Sequence, residues 1–184
     1  DDADGAAAGR VAARALLHVG VSIATEDAQG TCAEAAAALV AGEALAWADL
    51  GAELEAVLGR LADLLLDAPH AGRFLAMLLA RLVLCGGGRE PALLGAIGRR
   101  AESLDQSGEE DVMWQVLLGM LRHLGRWGSQ DVAREAASRR EISAALRKAG
   151  RCSRRELAEV LKARGLVVRQ GAEAPQTKVA TAVH

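Results

Sequence analysis

The sequence predicts an all-α fold of stacked antiparallel helical hairpins, HEAT-like and without a sheet. Alanine supplies 40 and leucine 27 of the 184 residues, and both rank high in helix propensity. The residues that favour strands are scarce, with one Phe, three Trp and no Tyr. Because 51% of the residues are hydrophobic, the chain can close a core, and general disorder is excluded.

Eight helices follow from the apolar spacing and from the breaks in it. They are predicted at residues 9–23, 31–41, 47–65, 68–85, 90–103, 109–126, 129–149 and 153–165. A Ser or Thr followed three residues later by Glu is a capping-box signal for a helix start. This signal occurs at Thr31, Ser107, Ser138 and Ser153. The breaks are short and rich in Gly, so neighbouring helices should pack antiparallel.

These elements divide the chain into four parts. Residues 1–9 are predicted to be a flexible N-terminus, and residues 10–128 a helical-repeat domain. Residues 129–170 are predicted to form a basic helical pair. Residues 171–184, with Pro175 and small polar neighbours, are predicted to be a flexible tail.

Charge is distributed unevenly along the chain. Residues 1–92 carry six Arg against thirteen acids, a net charge of −7, whereas residues 93–184 carry sixteen basic groups against eleven acids, a net charge of +5. This asymmetry favours an acidic first half that meets a basic protein and a basic second half that meets phosphate or an acidic protein. Two solvated helix faces are the other interpretation.

The basic half contains a tandem repeat. Residues 138–150 and 153–165 both begin with Ser-Arg-Arg-Glu and end with Gly, at an offset of 15 residues. Two such helices resemble a helix-turn-helix, which predicts RNA binding through residues 134–169. A solvated face or a surface that docks protein is the alternative. The candidate residues for nucleic acid or an acidic partner are Arg139, Arg140, Arg154, Arg155, Lys162 and Arg164.

The residue types that perform catalysis or bind metal do not form recognisable motifs. Three cysteines lie far apart, and the four histidines stand alone in the sequence. We therefore expect no enzymatic activity, no metal and no cofactor. The longest apolar run ends at Arg81, too short to cross a membrane, so no membrane span is predicted.

The segment between residues 57 and 83 has the most distinctive pattern. A leucine-rich helix is followed by Leu66-Asp67-Ala68-Pro69, and a second apolar helix ends in Ala-Arg-Leu-Val at residues 80–83. Asp67 is predicted at or beside the N-cap of the second helix, where its carboxylate would accept hydrogen bonds from backbone N–H groups. Capping alone would account for this residue.

This segment resembles the closing half of the MA-3 domain, the helical-repeat module of programmed cell death protein 4 and of the scaffold subunit of the cap-binding translation initiation complex. The resemblance covers about residues 10–86. It implies a protein-interaction module that binds a DEAD-box RNA helicase. It also implies that Asp67 and Pro69 contact this partner.

Two functions therefore follow as predictions. The first is a non-enzymatic adaptor or scaffold in translation regulation, located in the cytoplasm, that binds a DEAD-box RNA helicase. The second is a structural accessory subunit of a large organellar or ribonucleoprotein assembly, whose basic helices dock on RNA or acidic protein. Since the chain opens at Asp1 without Met, the second function would place it inside a mitochondrion or plastid after removal of a targeting segment.

Overall fold

The structure is a computed structural model that describes residues 2–86, 91–104 and 109–165. These residues form helices and contain no strand, so the predicted all-α class is confirmed for them. The helices are α1 (Asp2–Ser22), α2 (Glu26–Ala41), α3 (Trp47–Gly59), α4 (Leu61–Asp67), α5 (Ala71–Cys85), α6 (Pro91–Glu102), α7 (Glu109–Trp127), α8 (Gln130–Ser138), α9 (Arg140–Ala149) and α10 (Arg154–Ala163).

The helices pack in two rows. The first row runs α1, α3, α6, α9, with each helix packed on the next. The second row runs α2, α5, α7, α8 in the same way, and α10 packs on α9. The rows meet where α1 contacts α2 and α5, and where α7 contacts α9.

The first two helices of each row run in the same direction. Arg10 pairs with Asp49 and Arg14 with Glu53, so positions along α1 and α3 increase together. Arg73 contacts Gln29 and Arg81 contacts Glu34, which gives the same result for α2 and α5. From α1 to α7 this order is compatible with stacked helical hairpins, whereas the consecutive helices α7 and α8 lie in the same row.

Helix α5 forms the centre of the core. Ten of its residues between Ala71 and Val83 are buried, and it packs against α2 on one side and α7 on the other. Glycines permit the close approach of its neighbours, since a Cβ on Gly20 would lie 2.0 Å from the ring of Phe74 and one on Gly119 would lie 2.8 Å from Ala76. The ring of Phe74, the only Phe of the chain, therefore packs directly against the backbone of Gly20, where a side chain would not fit.

Two predicted helices are each divided. The helix predicted at 47–65 ends at Gly59 and restarts at Leu61, because Gly59 weakens the helix and Arg60 leaves the helical conformation (ψ 18°). The helix predicted at 129–149 breaks at Arg139, which is extended (ψ 139°). Here α8 packs on α7, whereas α9 packs on α6 as well. A single straight helix could not bury the apolar faces of both segments.

Only one of the capping signals on described residues forms a capping box. At Ser153 the backbone N–H donates to the Glu156 carboxylate (2.7 Å), and the Ser153 hydroxyl accepts from the Glu156 N–H (3.3 Å). Thr31 instead lies inside α2, and its hydroxyl donates to the Asp27 carbonyl. Ser138 ends α8, and its hydroxyl donates to the Glu135 carbonyl.

The N-terminal segment at residues 1–9, predicted to be flexible, is helical over most of its length. Helix α1 begins at Asp2, which is consistent with the high alanine content of this segment. Helix α9 joins the first row, which links the basic pair to the helical-repeat part. Ser107 and residues 171–184 lie outside the described residues.

We expect Ser153→Ala and Ser138→Ala to differ in their effect on folding. Ser153→Ala removes a formed N-cap and should lower the free energy of unfolding by about 1 kcal/mol. Ser138→Ala removes only a hydroxyl that bonds within its own helix, and should leave stability within about 0.5 kcal/mol. Urea unfolding of both variants checks this, and equal losses would contradict the assignment of the caps.

Candidate functional site

A surface groove of about 730 Å³ lies between α1 and the α3–α4 segment. Helix α3 packs along α1, but after the break at Arg60 helix α4 packs on α5 and α7 instead. The chain thereby leaves α1 and opens the groove. We call this the α1/α4 groove.

The floor of the α1/α4 groove is apolar. Val11, on its α1 side, is 68% exposed although it belongs to a helix that buries other residues in the core. Contiguous apolar surface that is rimmed by polar residues is typical of a binding site. The apolar lining residues are Val11, Ala15, Leu17, Val21, Ala56, Val57 and Leu64.

The rim of the groove is polar and carries both signs of charge. Its charged or ionisable residues are Arg14, His18, Glu53, Arg60, Asp63 and Asp67. The Arg14 guanidinium donates two hydrogen bonds to the Glu53 carboxylate, at 3.0 and 3.1 Å. These bonds lower the pKa of Glu53, and the charge of both groups is balanced within the pair.

The α4 end of the groove is acidic. Asp63 and Asp67 lie one helical turn apart, and neither has a hydrogen-bond or ion-pair partner among the described residues. Asp67 is the last residue of α4, where the backbone carbonyls already give the helix a negative end. The two carboxylates and the helix end together favour a cation at this point.

The predicted capping role of Asp67 is wrong. The N-cap of α5 is His70, and no side chain caps that helix. Helix α4 continues through Asp67 because the Ala68 N–H still donates to the Leu64 carbonyl (2.8 Å), and the Ala71 N–H closes the turn by donating to the Ala68 carbonyl (2.9 Å). Asp67 therefore stabilises neither helix end, and it is exposed on the rim of the groove.

Pro69 occupies the turn between α4 and α5. It is exposed, and it follows the α4 end of the groove by two residues without lining it. The two residues that the resemblance implies as partner contacts are thus both accessible, but only Asp67 belongs to the groove.

The six basic candidates have different surroundings. Arg139 is the N-cap of α9 and pairs with Glu135 at 2.9 Å. Arg140 is exposed and lines a separate cavity of about 570 Å³ between α6 and α9, which also contains Glu102, Glu141 and Lys148.

The other four basic candidates lie on or just after α10. Arg155 is 3.6 Å from Glu159. Arg154, Lys162 and Arg164 are exposed and have no ion-pair partner among the described residues. Arg140 is likewise exposed and without an ion-pair partner among the described residues, so four residues of the set remain available to an anionic partner.

Most of the α1/α4 groove was not predicted from the sequence. One signal for it was available, because α1 carries apolar residues on two faces: Ala13 and Leu17 are buried, while Val11 is exposed in the groove. An apolar residue outside the core stripe of an amphipathic helix indicates a second contact surface.

A cluster of aromatic and charged groups on α2, α5 and α7 was also missed. The Arg81 guanidinium lies 4.4 Å above the Trp127 ring and pairs with Glu34 at 3.1 Å. His123 stacks on Trp127 at 4.5 Å, and burial lowers the pKa of this histidine. These contacts tie the second row together and leave Trp127 partly exposed.

The part of the chain that the structure describes contains neither a candidate metal site nor a candidate membrane span. No group of three or more His, Cys, Asp or Glu in residues 2–86, 91–104 and 109–165 is placed to hold a metal ion. Within the same residues, no helix combines the length and the apolar character needed to cross a bilayer.

Comparison with known proteins gives no relative: no family model, no curated protein and no solved structure matches this chain. The MA-3 resemblance accordingly stays a prediction.

The Arg14–Glu53 pair predicts a pH dependence of stability. Because the pKa of Glu53 is lower in the folded chain than in the unfolded chain, its contribution is present above the unfolded pKa, about 4.3, and is lost as pH falls through the folded pKa. Glu53→Gln should lower the melting temperature at pH 7. The difference in melting temperature between this variant and wild type should disappear as the pH approaches 3. Thermal melts between pH 7 and pH 3 measure this, and a difference that is constant with pH would contradict it.

Proposed function

We propose that this chain is a non-enzymatic protein-interaction adaptor that binds a basic segment of a protein partner in the α1/α4 groove. The observation that carries the proposal is the position of Asp67. It lies exposed on the rim of an apolar groove, at a helix end where a carboxylate weakens the helix. A residue without a capping role at this position favours a binding role.

Shape and charge support a partner with both apolar and basic groups. The floor of the groove offers apolar surface, and Asp63 and Asp67 at its α4 end lack a counterion among the described residues. Lys or Arg side chains of a partner would pair with these carboxylates while adjacent apolar side chains fill the groove. The net charge of −7 on residues 1–92 would steer a basic partner toward this part of the chain.

The MA-3 resemblance supports a more specific partner. It implies that Asp67 and Pro69 contact a DEAD-box RNA helicase, and we propose such a helicase as the occupant, with the chain acting in translation regulation. Both residues are exposed, Asp67 on the rim of the groove and Pro69 in the turn that follows it, as a contact of this kind requires.

Asp67→Asn tests the proposal. The substitution keeps the size of the side chain and removes its charge, so the fold should be retained. Loss of a charge-assisted contact at an interface should weaken binding to a purified DEAD-box initiation-factor helicase by about 2–5 kcal/mol. Calorimetric titration of the helicase with wild type and variant measures this difference.

Glu43→Gln is the matched control. Glu43 is an exposed acid that follows α2 at the opposite end of that helix from the α4–α5 turn. It should bind the helicase as wild type does, and both variants should show unchanged thermal melts. Absence of binding by wild type, or equal binding by Asp67→Asn, would overturn the proposed function.

A second candidate function is an accessory subunit of an organellar or ribonucleoprotein assembly. The observation that favours it is the set of unpaired basic residues on α10, namely Arg154, Lys162 and Arg164. This candidate makes no use of the α1/α4 groove, so the Asp67→Asn experiment separates it from the first.

A further inference from the structure

A small cleft lies where α7, α8 and the end of α10 meet. It has a volume of about 290 Å³ and is lined by Leu121, Arg122, Gln130 and Arg164. Arg122 belongs to α7, Gln130 is the first residue of α8, and Arg164 is the C-cap of α10. Three separate helices therefore bring two guanidinium groups and one carboxamide to a single cleft.

The cleft contains positive charge without an acid to balance it. None of its lining residues is acidic, and neither Arg122 nor Arg164 has an ion-pair partner among the described residues. The nearest acid in sequence, Asp131, pairs with Arg134 on its own helix. Two cations at one cleft repel each other, and a bound anion would remove this repulsion.

The donors in the cleft suit a phosphate group. A guanidinium presents a planar set of N–H donors that can bind two phosphate oxygens at once, and the Gln130 carboxamide adds a third donor group. The cleft is also at the start of α8, where Ser129 caps only the Val132 N–H (3.2 Å) and the first backbone N–H groups have no carbonyl one turn back.

The charge around the cleft indicates a polymer and not a single ion. The segment between Arg134 and Arg164, which ends at the cleft, carries ten basic groups against four acids. Lys162, in the last turn of α10, is exposed and has no ion-pair partner among the described residues. A free phosphate would contact only the cleft, whereas a nucleic-acid backbone presents further phosphates to the basic groups of this segment.

We propose that the Arg122/Arg164 cleft binds one phosphate of a nucleic-acid backbone, and that Lys162 contacts a phosphate that flanks it. Binding through phosphates alone positions the nucleic acid without reading its sequence. The cleft shares no lining residue with the α1/α4 groove, so a test of this proposal is independent of the proposed adaptor function.

The test uses the full chain and two fluorescent probes, a single-stranded RNA of 15 uridines and a duplex RNA of 15 base pairs. Wild type should bind at low salt, and the logarithm of the affinity should fall linearly with the logarithm of the salt concentration. Arg122→Gln/Arg164→Gln should lose about tenfold in affinity at low salt, and its salt slope for the duplex should be shallower by about 0.9 for the one phosphate released.

The control removes two positive charges elsewhere. Arg10 and Arg99 are exposed and lie on α1 and α6, away from the cleft. Arg10→Gln/Arg99→Gln should keep both the affinity and the salt slope of wild type. If the double variant at the cleft does not fold, Arg164→Gln alone, at an exposed position after α10, should show the same direction of change.

Three results would overturn the proposal. The first is that neither RNA binds at low salt. The second is that the cleft variant binds RNA with wild-type affinity and slope. The third is that a poly-glutamate peptide or inorganic phosphate binds while RNA does not, which would assign the surface to an acidic protein or a free anion.

Discussion

Burial of α5 on nearly all sides is the constraint that places the other helices. Ten residues between Ala71 and Val83 are buried, and each large apolar side chain among them contributes about 1.5–3 kcal/mol when it leaves water. Helices α2 and α7 cover α5 from either side, and α1 brings Gly20 over Phe74. The first row then packs along α1, so its position depends indirectly on α5.

Both candidate sites lie where this packing leaves a gap. The α1/α4 groove opens because α4 follows α5 and α7 and so departs from α1. The Arg122/Arg164 cleft forms where α7, the start of α8 and the end of α10 meet. In each case apolar packing fixes the backbone, and charged side chains that lie outside the core line the rim. A protein built in this way can carry an acidic site and a basic site without either disturbing the fold.

The sequence predicted the helices better than the sites. Helices α5 and α7 were predicted to within a few residues because their apolar spacing is continuous and Gly or Pro lies near their ends. The apolar spacing predicts that eight residues are buried, namely Leu61, Leu65, Phe74, Leu78, Leu82, Leu94, Leu117 and Leu121. Six of them are buried, and Leu65 and Leu94 pack partly exposed against the core. The breaks at Arg60 and Arg139 were missed because neither position has a Pro. The first follows Gly59, and the second separates two helices that pack on different neighbours.

The sites could not be predicted because they depend on long-range packing. Asp67 followed by Pro69 fits an N-cap pattern, but the hydrogen bond from the Ala68 N–H to the Leu64 carbonyl extends α4 and makes Asp67 its last residue. The groove joins Val11 to Asp67, and the cleft joins Arg122 to Arg164. Contacts over such separations leave no local pattern in one sequence.

Native-state hydrogen exchange of the full chain tests the central position of α5 most directly. The backbone amides between Phe74 and Val83 should exchange only through global unfolding, with an opening free energy equal to that from urea unfolding. Amides of α10, which packs mainly on α9 through Leu157 and Leu161, should open at a lower free energy. Exchange of the α5 amides as fast as those of α10 would contradict the account.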